Sequence, residues 1–321
     1  GLRGLFSFRL CRSFRRVVCR RVVCGRVLND RSFFSRSVFL LAFADSLVRR
    51  AAHLIFNGFL RGGFADQASH RAMAGRELPA ERRDGARITV EVGLSVLGEG
   101  RDRFLLSHGH YAIALYAALI EAGIIPETEL ETYGSDDSRL PMSGMASYTP
   151  GMEISGGSLG QGLPIGVGMA LALRHKKSRA FVYNSMSDGE LDEGSTWEAA
   201  MSAAHHGLGN LICLVDINNQ QADGPSSKIL GFEPLADKWA AFGWHVQCVD
   251  GNDLPAVFAA FDAARSLRDP KPRVILFKTL MGKGVPFLET REKNHFIRVD
   301  PPEWQKAIEI LDNAHAEGAL A

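Results

Sequence analysis

"RAFVYNSMSDGELDEGSTWEAAMSAAHHGLGNLICLVDI" occupies residues 179–217, and its reading decides the fold. Two apolar runs of strand length, "RAFVYN" (179–184) and "NLICLVDI" (210–217), flank a helical stretch, "STWEAAMSAAHHG" (195–207). Strands that are apolar throughout, rather than alternating, are buried on both faces, which is the habit of parallel sheets. Between the first strand and the helix lies "MSDGELDEGSTW" (186–197), which holds four carboxylates: Asp188 of an Asp-Gly pair, then Glu190, Asp192 and Glu193, which are expected to open the helix. Asp188 ends the first strand and Asn218 follows the next, 30 residues on. That interval suits one strand–helix–strand unit, which returns the chain beside its starting point.

Working outward, the same alternation continues. "HYAIALYAALIEAG" (110–123) predicts a helix that stops near Gly123, with Pro126 just beyond. "GQGLPIGVGMALALRHK" (160–176) predicts a second helix, apolar on nearly all sides and therefore buried. "WHVQCVD" (244–250) and "RVILFKT" (273–279) add strands, and "EPLADKWAAFG" and "DLPAVFAAFDAARSL" add helices. The end, "PPEWQKAIEILDNAHAEGALA" (301–321), reads as one helix and a tail. The expected fold is α/β, a parallel sheet with helices on both faces, whose ligands bind outside the carboxyl ends of the strands.

Composition divides the chain. Residues 1–103 hold 20 Arg, no Lys and nine acidic residues, whereas the remainder holds 17 basic and 27 acidic residues, with every lysine at or beyond Lys176. The early text, such as "FRLCRSFRRVVCRRVVCGR", has no helical period, capping signal or acidic counter-face. Residues 1–100 are therefore expected to be an Arg-rich segment that is disordered or a non-native reading of its gene; a targeting region and a nucleic-acid arm are the alternatives. The five cysteines show no metal-site spacing, and their odd count argues against a disulfide framework. The longest charge-free apolar run near the start, "VFLLAFA" (38–44), falls far short of the roughly 20 residues of a membrane span. A soluble cytoplasmic protein with no membrane or nucleic-acid partner is the expectation.

The chemistry concentrates at predicted strand ends. Asp188 and Asn218 offer a carboxylate and an amide oxygen, hard ligands suited to Mg²⁺ or Ca²⁺ and poor for zinc. Mg²⁺ fills its octahedron with few protein oxygens, phosphate oxygens and water, and Gly189 would admit a diphosphate close to the backbone. Taken alone, Asp188 could as well be a helix cap. Three further stretches accompany it. "LSHGHYA" sets His108 and His110 around a glycine just before a helix, where free N–H groups attract anions. "SGGSLGQGLPIGVG" is rich in glycines, and "KTLMGKGVPFLE" follows the last strand, with His295 after it.

"DRFLLSHGHYAIALYAAL", "GMEISGGSLGQGL", "SDGELDEGSTWEAA", "LVDINNQQADG" and "KTLMGKGVPFLE…NHF" occur in order over about residues 101–300 and resemble the cofactor-binding half of transketolases. The resemblance implies a thiamine diphosphate-binding domain over residues 101–321, with the cofactor held through a divalent cation, usually Mg²⁺. By position it makes Asp188, Asn218 and the backbone carbonyl of Gln220 metal ligands. Gly189 and His295 match diphosphate contacts, and His110 matches a histidine near diphosphate and thiazolium. Those two histidines take catalytic roles in the family. Gly157, Ser158 and Leu159 match backbone beside the cofactor, and Glu193 an acid at a subunit interface.

The sequence departs from the family at several points. Ser187 stands where a glycine is usual, and Met142 and Met145 stand where many transketolases place a substrate-contacting histidine. No histidine–proline–glycine motif appears in residues 1–100, and nothing after His295 supplies the glutamate that activates the aminopyrimidine ring. The expectation is the amino-terminal subunit of a split transketolase, which transfers two-carbon ketol units between sugar phosphates, as in the pentose phosphate pathway. It would work in a hetero-oligomer with a carboxyl-terminal chain carrying the pyrimidine-binding domain. A cofactor subunit of a 2-oxo acid dehydrogenase and a non-catalytic remnant are the competing readings.

Overall fold

A computed structural model describes residues 100–292, 294–295 and 300–316. The expectation for the Arg-rich start lies outside the described residues. Five strands form one sheet: β1 (Arg103–Leu106), β2 (Val182–Ser187), β3 (Leu211–Ile217), β4 (His245–Asp250) and β5 (Arg273–Lys278). Their order is β1-β2-β3-β5-β4, and every pairing is parallel. The helices are α1 (Ala112–Glu121), α2 (Gly162–His175), α3 (Gly194–His205), α4 (Ser226–Ile229), α5 (Leu235–Ala241), α6 (Leu254–Ser266), α7 (Pro286–Glu289) and α8 (Pro301–Ala316).

Both faces of the sheet are covered, as strands without alternation require. Along β3, Leu211, Cys213 and Val215 join the core made with α2, α3 and α5, while Ile212 and Leu214 join the core under α6. The first core is closed by three tryptophans. Trp239 is fully buried, 4.8 Å from the ring of Trp244 and 5.4 Å from that of Trp197. A third cluster surrounds α1 and takes in Tyr133, Leu288 and Trp304 of α8.

The elements differ from expectation in four places. β1 was not anticipated, because four residues of "RFLL" are too short to show a period. β2 begins three residues later than "RAFVYN" and runs through "SMS", so polar Asn184 and Ser187 lie inside a buried strand. The helix buried on every side is α1, where Ala112 through Ile120 are all inaccessible. α2, expected to be buried all round, turns Ile165, Gly168 and Ala172 to solvent. Positions 165, 168 and 172 share one face at helical spacing, and the sheet covers only the opposite one. Lastly, the acids after Asp188 do not open α3. Residues Asp188–Asp192 form a separate 3-10 turn capped by Ser187 and Glu190, and α3 starts at Gly194.

α6 shows how sequence sets a boundary. Asp253 is its N-cap, accepting the Ala256 amide at 3.3 Å, with Pro255 in the first turn where no N–H is needed. Replacing Trp239 by Ala should lower stability by about 3–5 kcal/mol, since the cavity opens among rings that cannot collapse into it. Trp239→Phe should cost much less, because the indole N–H has no partner to lose. Chemical denaturation of both variants measures the difference.

Candidate functional site

The register Ser187↔Asp216 brings the carboxyl ends of β2 and β3 level, so Asp188 and Asn218 emerge side by side. Asp188 is buried, and its Oδ2 accepts the Asn219 amide at 2.9 Å and the Ser226 hydroxyl at 3.0 Å. Its Oδ1 is buried with no partner. Burial pushes this carboxyl up to about 7, with the nearby Asp216 charge adding to the effect and the donated hydrogen bonds opposing it. A buried carboxylate oxygen without a donor is expensive, and either a proton or a bound cation offsets that cost. The turn that supplies Asn219 takes a left-handed backbone there (φ 57°), which asparagine tolerates better than most residues.

Asn218 is oriented from beneath. Its Nδ2 donates to Asp216 Oδ2 at 2.9 Å and to the Tyr111 hydroxyl at 3.0 Å, which leaves Oδ1 on the other side, accepting the Gln220 amide at 2.8 Å. Asp216 also accepts Tyr111 O–H at 3.0 Å and Thr279 O–H at 2.6 Å. Burial raises its pKa above the ordinary carboxylate value, and the three donors offset that rise only in part.

Three histidines stand beside this network. His108 is buried, its ring 4.0 Å from that of Tyr111. The His110 ring lies 5.5 Å from the ring of His295 and 4.9 Å from that of Tyr111. Burial lowers all three: His108 well below the ordinary value, His110 to about 4 with help from the His295 charge, and His295 by burial alone. At neutral pH the site therefore presents uncharged imidazoles, and His110 keeps a buried Nε2 without a partner.

The glycines explain how the loops reach one another. A Cβ on Gly109 would meet the backbone of Gly156 at 2.5 Å, and one on Gly156 would meet Gly109 Cα at 2.6 Å. Hydrogen bonds stitch the approach, from Gly144 N to Gly109 O and from Gly156 N to Gly144 O, both 3.1 Å. Gly157 is at φ 133° and, with Ser158, is exposed on the loop surface; Leu159 is half-buried. At Gly189 a Cβ would make only an ordinary contact, 3.6 Å from the Gln221 side chain, and would meet no backbone.

The structure thus gathers Asp188, Gly189, Asn218 and Gln220 at one strand edge, with His110 and His295 adjoining and Gly157–Leu159 on the loop bound to Gly109. Glu193 is exposed at the start of α3. Met142 packs against the cluster around α1. Sequence reasoning missed Tyr111 and Thr279, hidden in apolar-looking runs, and gave Glu190 the wrong task. Glu190 is wholly buried, and "SDGE" (187–190) carried the signal: a serine with Glu three residues on is a capping box. Among the described residues no group of three or more His, Cys, Asp or Glu is arranged as a metal site, so any cation here would rest on one carboxylate with amide and carbonyl oxygens.

A parallel α/β domain whose polar residues converge at the strand ends is a cofactor-binding domain in class. The chain belongs to the transketolase thiamine diphosphate-binding domain family, whose family model matches residues 98–310. A transketolase family protein of Sinorhizobium fredii is 71% identical over 214 residues, covering 67% of this chain and 77% of the relative. A 6-deoxy-6-sulfo-D-fructose transketolase subunit of a Clostridium species is 41% identical over 219 residues, covering 68% and 78%. Transketolase from Leishmania mexicana superposes with a TM-score of 0.59 at 24% identity, over 86% of this chain and 45% of that one, which shows the shared fold. The chain thus spans less than half the length of that transketolase. Among the described residues no helix is long and apolar enough to cross a membrane.

The lowered His110 has a consequence for stability. The unfolded imidazole, at about 6.5, binds a proton that the folded one refuses until about pH 4. The unfolded state therefore holds more protons between those values, and stability falls as pH falls through that window. His110→Gln should remove roughly 2 kcal/mol of the loss between pH 7 and pH 5, read from denaturant unfolding at each pH.

Proposed function

We propose that this chain is the amino-terminal, cofactor-binding subunit of a two-chain transketolase, moving two-carbon ketol units between sugar phosphates with thiamine diphosphate bridged by Mg²⁺. The observation that carries the reading is Asp188 Oδ1, a buried carboxylate oxygen with no donor, beside Asn218 and the turn of Gln220. The residues present fit the cation. They are hard oxygens on rigid strand ends, the donor type that Mg²⁺ prefers. Asp188, the Asn218 side-chain oxygen and the Gln220 carbonyl would hold it, and Gly189 and His295 would face the diphosphate.

When bound, thiamine diphosphate supplies the carbanion chemistry of ketol transfer. The chain's own residues do the rest. Asp216 and Tyr111 fix the Asn218 amide so that its oxygen is presented. The Gly157–Leu159 backbone, exposed and next to Gly109, offers a surface for close approach. His110 and His295, kept neutral by burial, can donate or accept a hydrogen bond without adding charge beside the cofactor. Met142 and Met145 place apolar side chains where many family members use a histidine, which points to donor contacts other than those of the common ketose phosphates.

Family membership favours this reading over a 2-oxo acid dehydrogenase subunit. The relative named as a transketolase subunit supports an arrangement in which a second chain completes the site. A cofactor gripped on one side only is held weakly, and the residue that activates the pyrimidine would come from that second chain.

Two measurements test the reading. Asp188→Ala removes the sole charged ligand proposed for the cation. Calorimetric titration with thiamine diphosphate and Mg²⁺ should then show at least a tenfold loss of affinity, about 1.4 kcal/mol, and unchanged affinity would remove the metal assignment. Release of glyceraldehyde 3-phosphate from xylulose 5-phosphate, with ribose 5-phosphate as acceptor, should be absent with this chain alone. It should appear on adding a chain that carries the pyrimidine-binding domain. Full turnover by this chain alone would overturn the two-chain reading.

A further inference from the structure

We propose that Glu190 is the positioning residue of this cofactor wall: its carboxylate ties the Ser107–His110 turn and the Gly157–Gly162 loop to the strand end that carries Asp188, and so fixes their spacing before any ligand arrives. The inference rests on the cofactor reading for its purpose, but the tie itself is a property of the free chain.

Glu190 lies in the 3-10 turn after β2 and is wholly buried, so it touches no ligand. One carboxylate oxygen accepts the Ser187 amide at 3.1 Å. The other reaches out of the turn, accepting the Gly160 amide at 2.9 Å and a hydrogen bond from the Ser107 hydroxyl. Ser107 passes the contact on, its own oxygen accepting the Gly162 amide at 3.0 Å. These partners come from segments 30 and 83 residues away in sequence. His108 and His110 follow Ser107 directly, and Gly157–Leu159 precede Gly160, so the two loops argued to face the cofactor are both referred to one carboxylate.

Three donors and no acceptor surround Glu190, which suits a carboxylate and nothing else of its size. A glutamine would set an N–H against either the Ser187 amide or the Ser107 and Gly160 pair, and one side of the tie must open. The turn does not depend on that carboxylate alone. Thr196 Oγ1 donates to the Glu190 carbonyl at 2.7 Å, and Trp197 Nε1 to the Leu191 carbonyl at 2.8 Å. The tie can therefore be cut while the turn stays.

Hydrogen–deuterium exchange on the full chain, without and then with added thiamine diphosphate and MgCl₂, tests this. In the free chain, Glu190→Gln should speed exchange at the Gly160 and Gly162 amides at least tenfold while β3 amides keep their protection. Ser107→Ala should speed Gly162 and spare Gly160. On titration, the concentration that half-protects residues 157–162 should rise at least fivefold in E190Q. Unchanged exchange in the free variant, or an unchanged titration midpoint, would overturn the proposal. If E190Q loses protection in β3 as well, S107A decides: a weaker midpoint with β3 intact supports the tie, and an unchanged midpoint overturns it. Absence of any ligand-dependent protection in the wild-type chain would count against the cofactor reading instead, leaving the tie to be judged on the free chain.

Discussion

Three carboxylates buried at the ends of two neighbouring strands set the terms for everything built above them. Removing a charge from water costs several kcal/mol unless donors replace the water. Asp216 is met by Tyr111, Asn218 and Thr279, and Glu190 by Ser107, Gly160 and Ser187. Asp188 is met on one oxygen only. The first two are satisfied inside the protein, and the loops that satisfy them are thereby fixed. The third is left with an unmet demand in a place those loops surround. Acids that the protein satisfies itself and one that it does not thus stand at neighbouring strand ends, and hydrogen-bond accounting separates them.

The sheet supplies the rigidity this needs. Strands buried on both faces cannot shift register without exposing one of the two cores, since Leu211, Cys213 and Val215 serve one and Ile212 and Leu214 the other. The level ends of β2 and β3 are therefore held in part by the apolar packing along β3. Asn218 is then oriented by Asp216, two residues back on the same strand end, so the presented oxygen inherits the precision of the sheet.

Much of this could be read from the residues. The apolar runs declared a parallel sheet because burial on both faces suppresses alternation, and the length of a strand–helix–strand unit was enough to set Asp188 beside Asn218. Other features were less legible. β1 is too short to carry a period, and Tyr111 looks like one more apolar residue at a helix start until its hydroxyl is seen reaching Asp216. α2 was expected to be buried because glycines and alanines look apolar on every side, whereas burial depends on what stands opposite each face. Glu190 was misassigned although its capping box was in view, because a run of acids at the start of a helix invites reading all of them as one group. Whether a carboxylate points in or out is a matter of which donors the rest of the chain brings to it, and those lie many residues away.

The contact between Gly109 and Gly156 limits how such a site can change over time. Every substitution at either position adds atoms where another backbone already stands. That contact is consequently closed to gradual drift, and variation in this loop system must come from positions away from it. Ser143, Met145 and Tyr148 lie along the loop that is stitched to that floor at Gly144, and each is at least partly open to solvent. Constraint and freedom thus fall on separate parts of one loop system, the first set by steric exclusion and the second by exposure to solvent.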